Sequence, residues 1–162
     1  MASNSVTIRH PRSPEDIAAF RALCLEYAAS LPQIGLSLQV QGFEHEMATL
    51  PGKYAPPAGA ILLAFSGDQA AGCVALRPLD EPGACEMKRM YVRPEYRGQG
   101  LGHALGTCIV QAARHAGHRV MRLDTDNNMH AAIAVYTALG FQPRDRYNND
   151  PCPCTLWFEV IL

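Results

Sequence analysis

The stretch that decides the fold is Tyr91-Val-Arg-Pro-Glu-Tyr-Arg-Gly-Gln-Gly-Leu-Gly102, in which an apolar strand passes through three alternating glycines into a helix. Glycine at positions 98, 100 and 102 removes side chains where a ligand must approach the backbone closely. The helix that follows directs free N–H groups and the positive end of its dipole at the same point. The stretch therefore predicts an anion-binding loop, and pyrophosphate is its natural ligand.

Two common phosphate-binding motifs do not fit this loop. A Walker loop ends in Gly-Lys-Ser or Gly-Lys-Thr, whereas Gly102 is followed by His103 and Ala104. The dinucleotide-binding fingerprint needs a third glycine three positions after the second, where this chain has His103 or Leu105. ATP, GTP, NAD and FAD are therefore poor candidates for the ligand.

The pattern Arg-x-x-Gly-x-Gly, formed by Arg97, Gly100 and Gly102, resembles the loop that binds the CoA pyrophosphate in the GNAT superfamily of acyl-CoA-dependent N-acetyltransferases. The resemblance continues through an amphipathic helix, a strand, a second helix that carries a tyrosine, and a Leu-Gly-Phe ending, at residues 101–117, 120–124, 131–139 and 139–141. It covers about residues 60–162, and the first sixty residues match in general layout only. It implies that acetyl-CoA is a co-substrate.

Composition limits the classes of partner. The chain has 162 residues, 14 of them basic and 15 acidic, for a net charge of −1, so we expect neither nucleic acid nor an anionic membrane as a partner. No apolar run approaches the roughly 20 residues that span a bilayer, and the first residues lack a signal-peptide hydrophobic region. We expect one domain over residues 1–162 and a cytoplasmic location.

Periodicity and turn residues predict the elements of the fold. Ser13 is predicted to cap a helix that Pro32 ends, and a second short helix is predicted over residues 43–50. Strands are predicted at residues 6–10, 60–65, 70–79, 84–92, 120–124 and 155–162. The predicted fold is α/β or α+β: a GNAT-like domain with a central mixed, mostly antiparallel sheet of about six to seven strands and about four flanking helices.

Acetyl transfer to an amine requires a base, because most amines are protonated at neutral pH. The resemblance assigns this role to Glu86, which lies on the strand before the loop, eleven positions before Arg97. The alternative is that Glu86 is an exposed strand carboxylate, paired with Lys88 or Arg89, that contributes little.

The departing thiolate needs a proton, and the resemblance assigns the general acid to Tyr136, five positions before Phe141. A hydrogen bond from its hydroxyl would stabilise the charge that develops on sulfur. Tyr136 also has helical spacing with Ala132 and Leu139, so the alternative is a position in the core.

The resemblance also implies a set of cofactor-binding residues. Backbone groups of the strand before the loop would pair with the pantetheine arm, at Met90, Tyr91 and Val92. The loop and the first helical turn would contact the pyrophosphate, through Arg97, Gly98, Gln99, Gly100, Leu101, Gly102 and His103, although His103 could also be solvated. The family often has a cofactor-contacting asparagine where this chain has Met129. Asn128 either replaces it or, with Asn127, caps the next helix, which is the interpretation that we favour.

The six cysteines do not indicate a disulfide framework. Cys24, Cys73, Cys85 and Cys108 fall inside predicted helices or strands, where a small buried apolar residue serves equally well. Cys152 and Cys154 lack a second pair of ligands, and the histidines show no ligand spacing, so we expect no metal. Local loop chemistry and redox sensitivity stay open for Cys152 and Cys154.

The predicted function is N-acetyltransfer from acetyl-CoA to a primary amine of a small molecule, by direct attack in a ternary complex. A protein acetyltransferase, acting on lysine or an N-terminus, and a non-catalytic acyl-CoA sensor are the alternatives. Residues 31–57 and 144–154 are predicted to form the acceptor pocket. Its possible walls and amine-attracting carboxylates are Tyr27, Phe43, Tyr54, Tyr147, Glu44 and Glu46. The identity of the amine, the acyl chain and the oligomeric state, with a homodimer among the options, stay open.

Overall fold

One seven-stranded sheet organises the protein in the computed structural model, which describes residues 5–31 and 36–162. Its strands are β1 (Val6–Arg9), β2 (Ala60–Ser66), β3 (Gln69–Pro78), β4 (Ala84–Val92), β5 (Val120–Asp126), β6 (Gln142–Arg144) and β7 (Thr155–Ile161). The helices are α1 (Pro14–Ser30), α2 (Leu36–Ala48), α3 (Leu101–His115) and α4 (His130–Ala138). The prediction of a mixed sheet of six to seven strands with about four helices is confirmed.

The strand order is β1-β2-β3-β4-β5-β7-β6, and only the β4–β5 pair is parallel. The antiparallel β2–β3 pair is closed by the predicted turn, in which Gly67 has φ +59°. Helix α3 provides the crossover that a parallel pair requires.

The predicted helix ends agree with the structure in part. The Ser13 hydroxyl oxygen accepts a hydrogen bond from the Asp16 N–H at 3.2 Å, which confirms the N-cap of α1. Helix α2 begins at Leu36, seven residues before the predicted start of the second helix. The prediction that Pro32 ends α1 lies outside the described residues, and α1 ends at Ser30.

Two apolar clusters pack on opposite faces of the sheet. On one face, Leu105 and Ile109 of α3 pack with Leu62, Val74 and the neighbouring strands. On the other face, α1 and α2 contribute the residues that pack against β2, β3 and Tyr91: Phe20, Leu23, Cys24 and Met47. In the described part of the chain, no helix is long and apolar enough to cross a membrane.

The sheet opens between its two parallel strands. Strands β4 and β5 pair at only three positions, which end at Glu86↔Arg122. Beyond that point β4 continues with β3 and β5 with β7, so the edges of residues 87–92 and 123–126 face each other unpaired. An extra residue in β4, between Lys88 and Tyr91, displaces the strand further, and Arg89 there has φ +61°. The gap is a place for a ligand to bind.

Candidate functional site

The glycine loop ends against the first turn of α3. Gly98 and Gly100 have φ of +75° and +77°, a region that strongly favours glycine, and Gly100 is the N-cap of the helix. Ala104 is the first residue of α3 whose N–H bonds back to the helix, at 3.0 Å from the Gly100 oxygen. The N–H groups of residues 101–103 therefore lack intrahelical acceptors and can bind an anion.

A cavity of about 660 Å³ runs from the glycine loop along α3 to α4 and the end of β4, and we call it the loop cavity. All but one of the residues that the resemblance assigned to the cofactor line it, namely Met90, Tyr91, Val92, Arg97, Gly98, Gly100, Leu101, Gly102, His103 and Asn128. Gln99 is the exception. The structure thus brings together residues that lie up to 38 positions apart in the chain.

A smaller cavity of about 160 Å³ lies in the gap between β4 and β5, and we call it the strand cavity. It shares Tyr27, Met90, Asn128 and Tyr136 with the loop cavity, so the two cavities are contiguous. The smaller one is the polar member of the pair, because charged side chains of β4, β5 and the loop after β6 line it. A ligand bound in either cavity can therefore contact these shared residues.

Tyr136 lies at the junction of the cavities. Its side chain is 7% exposed and its ring packs edge-on against Phe141 at 6.0 Å between centroids. Within residues 5–31 and 36–162, no protein group bonds to its hydroxyl. Every fully buried side-chain N or O atom in those ranges has a partner, so the unpartnered Tyr136 oxygen is not fully buried and opens onto the cavities. Burial raises the pKa of the phenol, with smaller contributions from Tyr27 and Asp124. Tyr136 is therefore a protonated donor at neutral pH.

Glu86 is buried in a polar cluster behind the strand cavity. Its side chain is 1% exposed, and Oε1 accepts from Arg77 Nε at 2.9 Å while Oε2 accepts from the Tyr147 hydroxyl at 2.5 Å. Lys88 Nζ is 3.9 Å from Oε1. Burial alone would raise the pKa of Glu86, but Lys88, the Tyr147 hydroxyl and Arg77 outweigh it and leave that pKa below the ordinary 4.5.

This environment corrects the alternative interpretation of Glu86. The carboxylate is not exposed; the pairing with Lys88 is present at 3.9 Å, but Arg77 makes the shorter contact and Arg89 is not a partner. Arg89 pairs instead with Glu46. Glu86 itself lines neither cavity, whereas Lys88 lines the smaller one.

The predicted pocket walls divide in the structure. Tyr27 lines both cavities, but the Tyr54 hydroxyl is buried and donates to Glu46 Oε1 at 2.7 Å. Glu46 is therefore occupied by Tyr54 and Arg89 rather than free to attract an amine. Phe43 packs under the Arg89 guanidinium at 4.9 Å.

Two cavity-lining carboxylates were missed by the sequence reasoning, namely Asp124 and Asp126, whereas Asp150 lies in the loop 144–154 that was predicted to contribute to the pocket. Alternation along β5 gives a usable signal, because Arg122, Asp124 and Asp126 share one face while Met121 and Leu123 are buried on the other. Charged side chains that are partly buried on one face of a strand are unusual, because burying a charge is costly unless it is paired. This face of β5 is therefore a functional candidate.

The interpretation of Asn127 or Asn128 as the helix cap is wrong. Helix α4 begins at His130, and its N-cap is Met129, which makes no side-chain cap. The turn is closed instead by Asp126, whose Oδ1 accepts from the Asn128 N–H at 2.8 Å. Because the turn already has this acceptor, the Asn128 side chain is not needed as a cap, and the residue lines both cavities.

The cysteines follow the prediction in part. Cys24, Cys73 and Cys85 are free and buried, and Cys108 is free and partly buried. Cys152 and Cys154 form a disulfide in the wall of the strand cavity. In the described ranges, the only group of three potential metal ligands is these two sulfurs with Asp126, and the disulfide occupies both sulfurs.

The sequence matches the model of the acetyltransferase (GNAT) family over residues 24–141. An uncharacterised N-acetyltransferase of Schizosaccharomyces pombe is 36% identical over 163 residues, covering 100% of this chain and 98% of the relative. N-acetyltransferase family 8 member 2 of Rattus norvegicus is 33% identical over 106 residues, which are 63% of this chain and 47% of the relative, so the alignment spans about half of that protein.

Solved structures give the same fold. A Klebsiella pneumoniae protein assigned as an acyl-CoA N-acyltransferase has 30% sequence identity and a TM-score of 0.66, covering 100% of this chain and 99% of that one. A Salmonella typhimurium protein assigned as an acetyltransferase, whose structure contains acetyl-CoA, has a TM-score of 0.70 at 18% identity, covering 98% and 94%. At that identity the likeness concerns the fold alone.

Proposed function

The chain belongs to the acetyltransferase (GNAT) family, and from that premise we propose that it transfers an acetyl group from acetyl-CoA to a primary amine of a small molecule. The observation that supports this most directly is the pair of contiguous cavities with Tyr136 at their junction. One cavity has an anion-binding loop at its far end, and the other has a polar wall suited to an amine.

The residues of the loop cavity fit acetyl-CoA. The free N–H groups of the first turn of α3 and the backbone of Gly98 and Gly100 would hold the pyrophosphate. The unpaired edge of β4 at residues 87–92 offers backbone donors and acceptors to the amide groups of the pantetheine arm. Acetyl-CoA supplies an activated thioester carbonyl, and this docking would place it at the junction of the cavities.

Tyr136 is the proposed general acid. Its buried, protonated hydroxyl has no protein partner in the described ranges, so it is free to hydrogen-bond the thiolate as the C–S bond breaks. Because the phenol is held by packing against Phe141, it needs no rearrangement to donate.

Glu86 is the proposed base, acting through water. Both carboxylate oxygens already accept from Arg77 and Tyr147, and the carboxylate lines neither cavity, so direct contact with the amine is not available. Lys88 lines the strand cavity and its Nζ is 3.9 Å from Glu86 Oε1, so it connects the carboxylate to the side from which a proton would arrive. Direct attack by the amine then needs no acylated enzyme residue.

The proposal is tested by calorimetric titration with acetyl-CoA beside ATP and NAD, followed by a thiol-release assay with a panel of small amines. Selective binding of acetyl-CoA with release of CoA is the expected result. Binding without release on any small amine would favour a protein acceptor or a sensor, and no binding would contradict the assignment of the glycine loop.

A further inference from the structure

The strand cavity has an acidic wall for which the proposed reaction alone does not account. Asp124, Asp126 and Asp150 line it, together with two cationic side chains, Lys88 and Arg89. A cluster of carboxylates can be a solvated surface without function, so the partners of each charge decide what the wall can bind.

The two cations of the cavity are already engaged. Arg89 pairs with Glu46, where Nε and Nη2 are each 2.8 Å from Oε2. Lys88 Nζ is 3.9 Å from Glu86 Oε1 and 4.0 Å from Asp124 Oδ1, so it is shared between two carboxylates. Neither of these two cations pairs with Asp126.

Asp126 is the carboxylate with remaining capacity. Its Oδ1 accepts from the Asn128 N–H at 2.8 Å, and its Oδ2 is 3.1 Å from Cys154 Sγ, which in the disulfide has no proton to donate. In the part of the chain that the structure describes, no Lys, Arg or His nitrogen lies within 4.0 Å of it. A carboxylate offers about four acceptor positions, so Asp126 can bind a cation from the cavity.

Tyr136 gives independent evidence that a ligand occupies this cavity. Only 7% of Tyr136 is exposed, so it is more than nine-tenths buried. Its hydroxyl opens onto the cavity and has no protein partner among the described residues. Such a hydroxyl normally has a hydrogen-bond partner; no described residue supplies one, so the site is open to the polar end of a bound molecule. The reacting end of the acceptor therefore lies by Tyr136 and its far end towards Asp126.

Resting on the proposed function, we infer that the acceptor is a small dication, an aliphatic diamine whose second ammonium group binds Asp126, with Asp124 nearby. One ammonium group of the bound dication first gives a proton to solvent through the proposed water path at Glu86, and the resulting neutral nitrogen forms an N–C bond with the acetyl carbonyl while the thioester C–S bond breaks. That nitrogen then loses one further proton and the CoA thiolate gains one, so the products are a monoacetylated diamine and CoA. The second ammonium keeps its charge throughout and serves only to orient the substrate.

The test first measures acetyl-CoA affinity by calorimetry and then compares kcat/KM for three amines that each have four carbon atoms. These are 1,4-diaminobutane, 1-aminobutane and 4-aminobutanoate, whose far ends are positive, neutral and negative. We expect the diamine to exceed 1-aminobutane by about tenfold or more, and 4-aminobutanoate to be the poorest of the three. The diamine advantage should shrink at high salt, because ion pairing at a partly exposed site is screened.

The variant Asp126→Asn separates charge from structure, because its amide oxygen can still accept from the Asn128 N–H. It should abolish the preference for the diamine while kcat/KM for 1-aminobutane and acetyl-CoA affinity stay within about twofold. Asp68→Asn, in the distant β2–β3 turn, is the matched control and should change none of these values.

The outcomes distinguish the two proposals. Failure to bind acetyl-CoA would overturn the proposed function. Three results, each obtained with acetyl-CoA bound, would overturn the diamine inference alone. They are equal or better use of 1-aminobutane or 4-aminobutanoate than of the diamine, turnover of none of the three amines, and an unchanged preference for the diamine in Asp126→Asn.

Discussion

The Arg89 guanidinium donates to Glu46 Oε2 at 2.8 Å, and this contact fastens α2 to the point where β4 leaves the regular sheet. Arg89 adopts φ +61°, a conformation that is costly for a residue with a Cβ. The ion pair and the packing on Phe43 hold the residue in that conformation. The same side chain therefore maintains the gap in the sheet and one wall of the strand cavity.

Arg89→Ala and Arg89→Gly form a matched pair of variants. Both lose the contact with Glu46, and we expect KM for the amine to rise about tenfold or more while acetyl-CoA affinity changes little. Only glycine relieves the positive φ, so Arg89→Gly should be more stable than Arg89→Ala by about 1 kcal/mol in urea unfolding. Equal stability of the two variants would show that the backbone at this position is not strained.

Gly100→Asp is expected to weaken acetyl-CoA binding on the order of 100-fold, about 3 kcal/mol, because it places a carboxylate at the phosphate site and a Cβ at φ +77°. Gly67→Asp is the matched control, since it also has positive φ, +59°, with open space around it, but lies in a turn far from the cavities. Calorimetry on both variants separates backbone strain from the loss of the anion site. Comparable weakening in the two would contradict the loop assignment.

Tyr136→Phe should lower kcat on the order of 100-fold and leave acetyl-CoA affinity within about twofold, because the ring still packs against Phe141. Tyr96→Phe, which alters another tyrosine of the loop cavity, is the control for a general loss of hydroxyl groups. Stopped-flow or steady-state thiol release measures both.

The pH profile gives a second test of Tyr136. Burial raises its pKa above the ordinary 10, so the acid stays protonated and should cause no fall in kcat between pH 7 and 10. A fall with an apparent pKa of about 8 to 9 that Tyr136→Phe removes would contradict this account.

Glu86→Gln should destabilise the protein at pH 7 by about 2 kcal/mol, because it removes one partner of a buried ion pair. Arg77 then loses its charged partner while it is only partly exposed to water. The pKa of Glu86 is lowered in the folded protein, so its ionisation stabilises the fold fully above pH 4.5, and this contribution is lost as the pH falls through the lowered folded value. The difference between wild type and variant should therefore narrow in acid. Urea unfolding at pH 7, 4 and 3 measures it.

The control for this prediction is Glu15→Gln, an exposed residue in the first turn of α1, which should show a small and nearly constant difference from wild type. A gap for Glu86→Gln that stays constant or widens from pH 7 to pH 3 would show that the carboxylate is not stabilised by its partners. If Glu86 is the base, the reaction rate of the wild type should fall at acidic pH, and this fall should be absent from the pH–rate profile of Glu86→Gln.

The amino-acid sequence alone determined those features that depend only on residues close together in the chain. Gly98, Gly100 and the apolar stripe of α3 predicted the anion-binding loop, since backbone conformation and helix ends depend on the residues at those positions. Turn residues and alternation predicted the strands for the same reason. Tyr136 was assigned from the family resemblance, through its spacing to Phe141, and the structure places it at the junction of two cavities.

Only the tertiary structure decided the environment of each charged group. Glu86 has a neighbour in sequence, Lys88, at 3.9 Å, yet its shortest contacts come from Arg77 and Tyr147, nine and 61 positions away. Likewise Glu46 is bound by Arg89, 43 positions away, and Asp126 meets a cavity that β4, β5 and the loop after β6 enclose together. Electrostatic energies depend on distance in space and on burial, and neither quantity is encoded in the spacing of residues along the chain.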